Sequence, residues 1–213
     1  MSAVSRSSGD PLAAAVAALR AGRLIAFPTE TVWGLGGDAR SPAALARLAH
    51  WKGRGGDQPI SILVAGLDAL APLGVRVDAP ARRLAAAFWP GPLTLVLAAR
   101  ASLAPGVART DGAVGVRCSP HPVAAALAAA AGPLTATSLN RHGEPPARTR
   151  AEADRLCAGA DAPLLVAPDG SDAGGAPPST VVDLTATPPR VLRAGALDRD
   201  AIRRALGPDL ELA

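Results

Sequence analysis

Lysine is almost missing from this sequence: of 22 basic side chains only one, Lys52, is lysine, and all the others are arginine. Tyrosine is absent, phenylalanine occurs twice and methionine once. Alanine, arginine, glycine and proline are in surplus, the mark of GC-rich coding, so the alanine runs carry no signal of their own. The two cysteines, Cys118 and Cys157, stand alone, which excludes a disulfide framework and any cysteine-based metal spacing. His50, His121 and His142 are scattered and form no ligand set with cysteines or carboxylates. The first ten residues lack the apolar core of a signal peptide, and no apolar run is long enough to cross a membrane. The expected compartment is therefore the cytoplasm, with no membrane partner. There is no Walker loop and no G-x-G-x-x-G, and Ser138 does not sit in a nucleophile elbow.

What is present is a chain of 213 residues, 49% hydrophobic and 19% charged, with a formal net charge of +4. That length supports one domain with a real core, expected over about residues 10–206, preceded by a flexible tail at 1–9. The basic balance permits anionic partners, nucleotides or RNA, without requiring them. Helix punctuation is clear. Asp10, Pro11 and Gly22 bracket one helix, and Ser41, Pro42 and Gly53 another. Further helices are expected over 79–88, 121–132, 149–159 and 197–206. Strands are expected at 23–27, 59–65, 112–118, 133–140, 163–167, 179–185 and 190–195, with a turn into one more across 89–99. Alternating strands and helices make the fold α/β, and the closing run of strands without helices predicts that part of the sheet is antiparallel. Residues 167–180, rich in glycine and proline, read as a flexible loop.

Four polar clusters interrupt the apolar pattern: "PTETVWGLGGDA", "KGRGGDQP", "TSLN", and "PPST" followed by "RVLRAG". Each lies by a strand end, where open α/β sheets place their ligands. Lysine, arginine, hydroxyls and glycines without an evident base or nucleophile suit anion handling, in which positioning and charge neutralisation do the catalysis. A compact ammonium serves shifting phosphate oxygens, whereas the planar guanidinium suits a carboxylate. Each residue also has a plainer reading. Lys52 fits a solvated helix-end cation, Thr29 a turn residue, and Ser138 and Asn140 a strand end capping the next turn. Arg117 differs, because an arginine without a partner on an apolar strand is costly to bury. The three tryptophans fit core or pocket wall better than base-stacking platforms, and His121 reads as structural.

Taken together, "GRLIAFPTETVWGLGGDA", "KGR…QPISILV", "FWPGPLTLVL", "VGVRCSPHP", "TATSLN", "STVVD" and "VLRAG" resemble the YrdC-like family, in order and spacing, from about Gly22 to Ala194. The resemblance implies a twisted, mixed parallel and antiparallel sheet with flanking helices and a deep basic concave cavity. It implies an L-threonylcarbamoyladenylate synthase, a nucleotidyltransferase that takes L-threonine, bicarbonate and ATP, carried with Mg²⁺, to threonylcarbamoyl-AMP and pyrophosphate. Partner proteins then move the threonylcarbamoyl group to tRNA. The family signature falls on Lys52 and Arg54, the implied catalytic pair facing the ATP phosphates, and on Ser138 and Asn140, which help hold the nucleotide. Pro146 and Arg193 are the further nucleotide contacts implied. For L-threonine they are Thr29, Ser61, Arg117, Ala136 and Ser179, with Arg117 at the substrate carboxylate. No protein metal ligand is implied.

The sequence departs from that pattern in places. Arg141-His142-Gly143 stands where a serine-glycine pair is usual after Asn140, Gly55 replaces a proline, and Ala113 replaces a threonine that contacts nucleotide. A rival reading is a non-catalytic factor that binds double-stranded RNA or assists ribosome maturation. A second is a carbamoyltransferase, whose additional domains this chain has no room for.

Overall fold

The computed structural model describes residues 10–53, 60–100, 103–168 and 170–213; the expected N-terminal tail, 1–9, lies outside the described residues. Helix α1 (Pro11–Arg20) starts where Asp10 accepts a hydrogen bond from the Leu12 N–H. Strands β1 (Ile25–Pro28) and β2 (Trp33–Gly36) follow as an antiparallel hairpin. Helix α2 (Pro42–Lys52) is capped by Ser41 and ends at Gly53, whose φ of 67° suits glycine alone at no steric cost. After β3 (Ser61–Leu63) and a 3-10 turn at Leu67–Leu73 come α3 (Ala79–Phe88), β4 (Leu93–Ala98) and β5 (Ala113–Arg117). The rest is α4 (Pro122–Ala131), β6 (Leu134–Ser138), α5 (Arg150–Leu156), β7 (Leu164–Leu165), β8 (Thr180–Asp183), β9 (Arg190–Arg193) and α6 (Arg199–Leu206).

The strands form one sheet in the order β7-β1-β2-β6-β3-β5-β4-β8-β9. Three pairs are parallel (β1 with β7, β3 with β5, β4 with β8) and the other five are antiparallel. The mixed α/β sheet expected from the sequence is what forms. Alternation along β1 sends Ile25 and Phe27 to a core under α1 and α4, and Ala26 to the larger core under α2, α3 and α6. Each fully buried leucine, such as Leu127 or Leu84, contributes about 1.5–3 kcal/mol.

Two expectations need correction. Strand β2 lay within a stretch read as a polar cluster, because glycine is depleted in strands. Here glycine is required: a Cβ on Gly36 would stand 2.4 Å from the Thr135 carbonyl oxygen of the neighbouring strand. The stretch 167–180 was expected to be flexible, yet its described part is tied down repeatedly. The Ala173, Gly174 and Ala176 N–H groups donate to the Arg148, Thr29 and Glu30 carbonyls at 2.9, 3.0 and 2.9 Å.

Candidate active site

The hairpin turn after β1, the ends of β3, β5 and β6, and the 176–179 segment leading into β8 surround a cavity of about 370 Å³. Its wall includes Thr29, Ser61, Arg117, Ala136, Ser138, Pro146, Ser179 and Arg193, eight of the residues singled out from sequence. They come from six separate chain segments, and only sheet order brings them together.

Lys52 and Asn140 stand behind this wall rather than in it. The Lys52 side chain is buried, and its ammonium donates to the Ser138 carbonyl at 2.7 Å and to Asn140 Oδ1 at 2.9 Å. Ser138 Oγ donates to the same Asn140 oxygen at 2.6 Å. The Asn140 amide nitrogen in turn donates to the Arg141 and Glu144 carbonyls, which sets the orientation of the side chain. A further backbone bond, from the His142 N–H to the Lys52 carbonyl at 2.8 Å, clips the segment after β6 to the end of α2. The picture of Lys52 as a solvated helix-end cation therefore fails. Three of the four signature residues form one hydrogen-bonded unit, while Arg54 lies outside the described residues.

Arg117 points into the cavity from β5 and pairs with Glu30, whose other carboxylate oxygen accepts from Ser119 Oγ at 2.5 Å. Arg193, on the edge strand β9, reaches back across β8 to donate to the Ser179 carbonyl and hydroxyl. Burial, and then the repulsion of Arg117, pull the Arg193 guanidinium below its ordinary pKa. Two cations facing one space raise its potential, a setting that an anion relieves. Ser179 Oγ also meets Thr94 Oγ1 at 2.9 Å. Ser61 fits because Gly115 has no side chain; a Cβ there would lie 2.7 Å from Ser61 Oγ.

Thr29 borders the cavity but its hydroxyl is used locally, donating to the Val32 carbonyl at 2.6 Å and accepting from the Thr31 N–H. The turn role is thus real, alongside its place in the wall. Ala113 is buried at the start of β5 and paired with Ala98, outside the lining. Sequence reasoning passed over Glu30, Thr94, Ser119 and Arg148. The signal for Glu30 was its place inside "PTET", beside Thr29. The other three lie on elements whose approach only the sheet creates. Cys157 is a half-buried thiol pushed up to about 12 by burial, and the buried Cys118 is also raised, first by burial and then by Glu30; both shifts disfavour the reactive thiolate.

The structure is thus an α/β protein with a mixed sheet and a cavity at its strand ends whose lining includes Arg117, Arg148 and Arg193. The sequence model of the Sua5/YciO/YrdC family, described as "Telomere recombination", matches residues 17–195, and the chain belongs to that family. A threonylcarbamoyl-AMP synthase of Chromohalobacter salexigens is 41% identical over 180 residues, 84% of this chain and 95% of that one. A protein of Mycobacterium tuberculosis is 39% identical over 205 residues, 96% of this chain and 92% of its own length. The structure of P. abyssi Sua5 complexed with L-threonine superimposes with a TM-score of 0.85 at 33% identity. It matches 98% of this chain, which spans only 61% of that protein's length.

Proposed function

We propose that this chain is an L-threonylcarbamoyladenylate synthase, a cytoplasmic nucleotidyltransferase. It joins L-threonine, bicarbonate and ATP into threonylcarbamoyl-AMP and releases pyrophosphate, and separate proteins then carry the threonylcarbamoyl group to tRNA. The supporting observation is the convergence of Arg117, Ser179, Ser138 and Arg193 on one cavity, in a chain whose relatives carry that name.

The chemistry needs such a wall. Threonine's amine attacks bicarbonate, forming the N–C bond with loss of hydroxide and a proton as water. The carbamate oxygen then attacks the α-phosphorus, and the bond to pyrophosphate breaks. Carbamate and triphosphate are both anions, so fixed positive charge offsets their repulsion. In this reading Arg117 takes the threonine carboxylate in a forked pair, with Thr29, Ser61, Ala136 and Ser179 completing the amino-acid pocket. Lys52, Arg54, Ser138, Asn140, Pro146 and Arg193 serve the nucleotide, and Lys52 and Arg54 are the catalytic pair at its phosphates. Mg²⁺ comes with ATP and neutralises its phosphates.

The test is to incubate the pure protein with ATP, Mg²⁺, bicarbonate and labelled threonine. Threonine-dependent pyrophosphate release is expected. ATP turnover indifferent to threonine would remove the substrate assignment. No turnover, together with tight and steeply salt-dependent RNA binding, would select the non-catalytic RNA-binding reading instead.

A further inference from the structure

Among the described residues, those lining the cavity include three arginines, Arg117, Arg148 and Arg193, and no aspartate or glutamate. A free amino acid is a zwitterion. Its carboxylate suits that wall, but its ammonium would meet cations, and like charges placed together cost several kcal/mol. Among the described residues, the carboxylate that bonds the lining side chains of Arg117 and Ser119 is that of Glu30, with 17% of its side chain exposed. A carboxylate offers about four lone-pair sites, so those two bonds leave room for further donors.

The backbone of Glu30 is also clamped. Its carbonyl accepts from the Ala176 N–H at 2.9 Å, and the Thr29 carbonyl accepts from the Gly174 N–H at 3.0 Å. The 173–176 segment approaches so closely that a Cβ on Gly174 would lie 2.6 Å from the Glu30 carbonyl oxygen.

We propose that Glu30 reads the substrate's amine: it accepts hydrogen bonds from the α-ammonium while Arg117 turns its remaining donors to the α-carboxylate, so that the cavity selects an α-amino acid over the corresponding hydroxy acid. This rests on the synthase reading of the same cavity. Glu30 here is a positioning and specificity residue that sets the amine's place before the chemistry begins.

The test compares L-threonine with 2,3-dihydroxybutanoate, in which a hydroxyl replaces the amine, each competing against labelled threonine. Wild type is expected to prefer threonine by at least about tenfold, as sites built around one polar group reject analogues lacking it. Glu30→Gln is expected to bring the two ligands within about twofold of each other, leaving the affinities for dihydroxybutanoate and for ATP unchanged. Equal weakening of both ligands would overturn the proposal, since it would reduce Glu30 to a prop for Arg117. Equal affinity in the wild type would also overturn it, and that comparison does not depend on whether the variant folds. Wild type that binds no threonine at all would overturn both this proposal and the synthase reading. Threonine-dependent turnover with equal ligand affinities would overturn this proposal alone.

Discussion

A single buried ammonium organises the candidate site. Lys52 satisfies a backbone carbonyl and an amide oxygen on the segment leaving β6, and thereby sets Ser138 and Asn140 relative to each other. Replacing it by methionine keeps the volume but strips those two acceptors of a donor, which costs about 1–3 kcal/mol. For a chain of this length that lowers Tm by about 2–12 °C, measurable by circular dichroism on a protein that still folds. Threonine-dependent pyrophosphate release is expected to fall by about a hundredfold or more, the scale of losing one fixed donor at a developing charge. Lys52→Arg is expected not to restore it, because a planar fork cannot replace a compact point charge in a closed space. A Lys52→Met enzyme with normal turnover would remove the residue from the mechanism.

At the scale of elements, the helix starts answer to local chemistry. Asp10, Ser41, Asp78, Thr149 and Asp198 each accept a hydrogen bond from a first-turn N–H. Helix α4 is unusual in using histidine: His121 Nδ1 accepts from the Val123 N–H at 3.3 Å. Burial lowers the pKa of His121, while the Glu30 charge pulls the other way without prevailing. A depressed histidine favours folding only while neutral. Its contribution is therefore complete above the unfolded value of about 6.5 and is lost as pH falls through the lower folded value. Protonation also converts the capping acceptor into a donor. Wild type is expected to lose about 1 kcal/mol between pH 7 and 5 through this cap. His121→Asn keeps an acceptor that does not titrate, so a Tm-against-pH series should be flatter for the variant. Parallel curves would rule out the histidine as the source.

Over the whole molecule, Asp183 fastens the far side of the sheet. Its fully buried carboxylate takes Arg109 at 3.0 Å, Arg190 at 3.4 Å and the Thr185 hydroxyl at 2.5 Å. Burial pushes this carboxyl up, but the bonds from Thr185 and Arg109 together overcome it, and the pKa ends below the ordinary value. The stability it provides is present above the ordinary carboxylate value and is lost as pH falls through the lower folded value. Asp183→Asn takes this anion from Arg190 and leaves Arg109 to Asp111 alone, and is expected to cost about 2 kcal/mol, a drop in Tm of about 4–8 °C. A variant melting within a degree of wild type would show that the pairing contributes nothing net. Because Asp183 borders β9, the same variant tests whether Arg193, at the other end of that strand, depends on the hairpin for its place.

Much of the fold was legible because its cues are local. A capping side chain, a proline in the first turn and a glycine with positive φ act within a few residues, and 3.6- and 2-residue periods show directly in the order of side chains. Strand β2 escaped because Gly36 answers to the Thr135 carbonyl, about a hundred residues away in sequence, and the 173–176 segment because its bonding partners lie on the β1–β2 turn and at Arg148. The wall residues were recognisable only as seven blocks resembling a family, since no block alone specifies a cavity. The sequence by itself determined the helices, most strands and the residue types available for anion chemistry, through short-range sterics and hydrophobic periodicity. Tertiary structure alone decided that Lys52 is enclosed rather than solvated, that Glu30 faces Arg117, and that six distant segments share one cavity, because strand order depends on non-local pairing that no local pattern encodes.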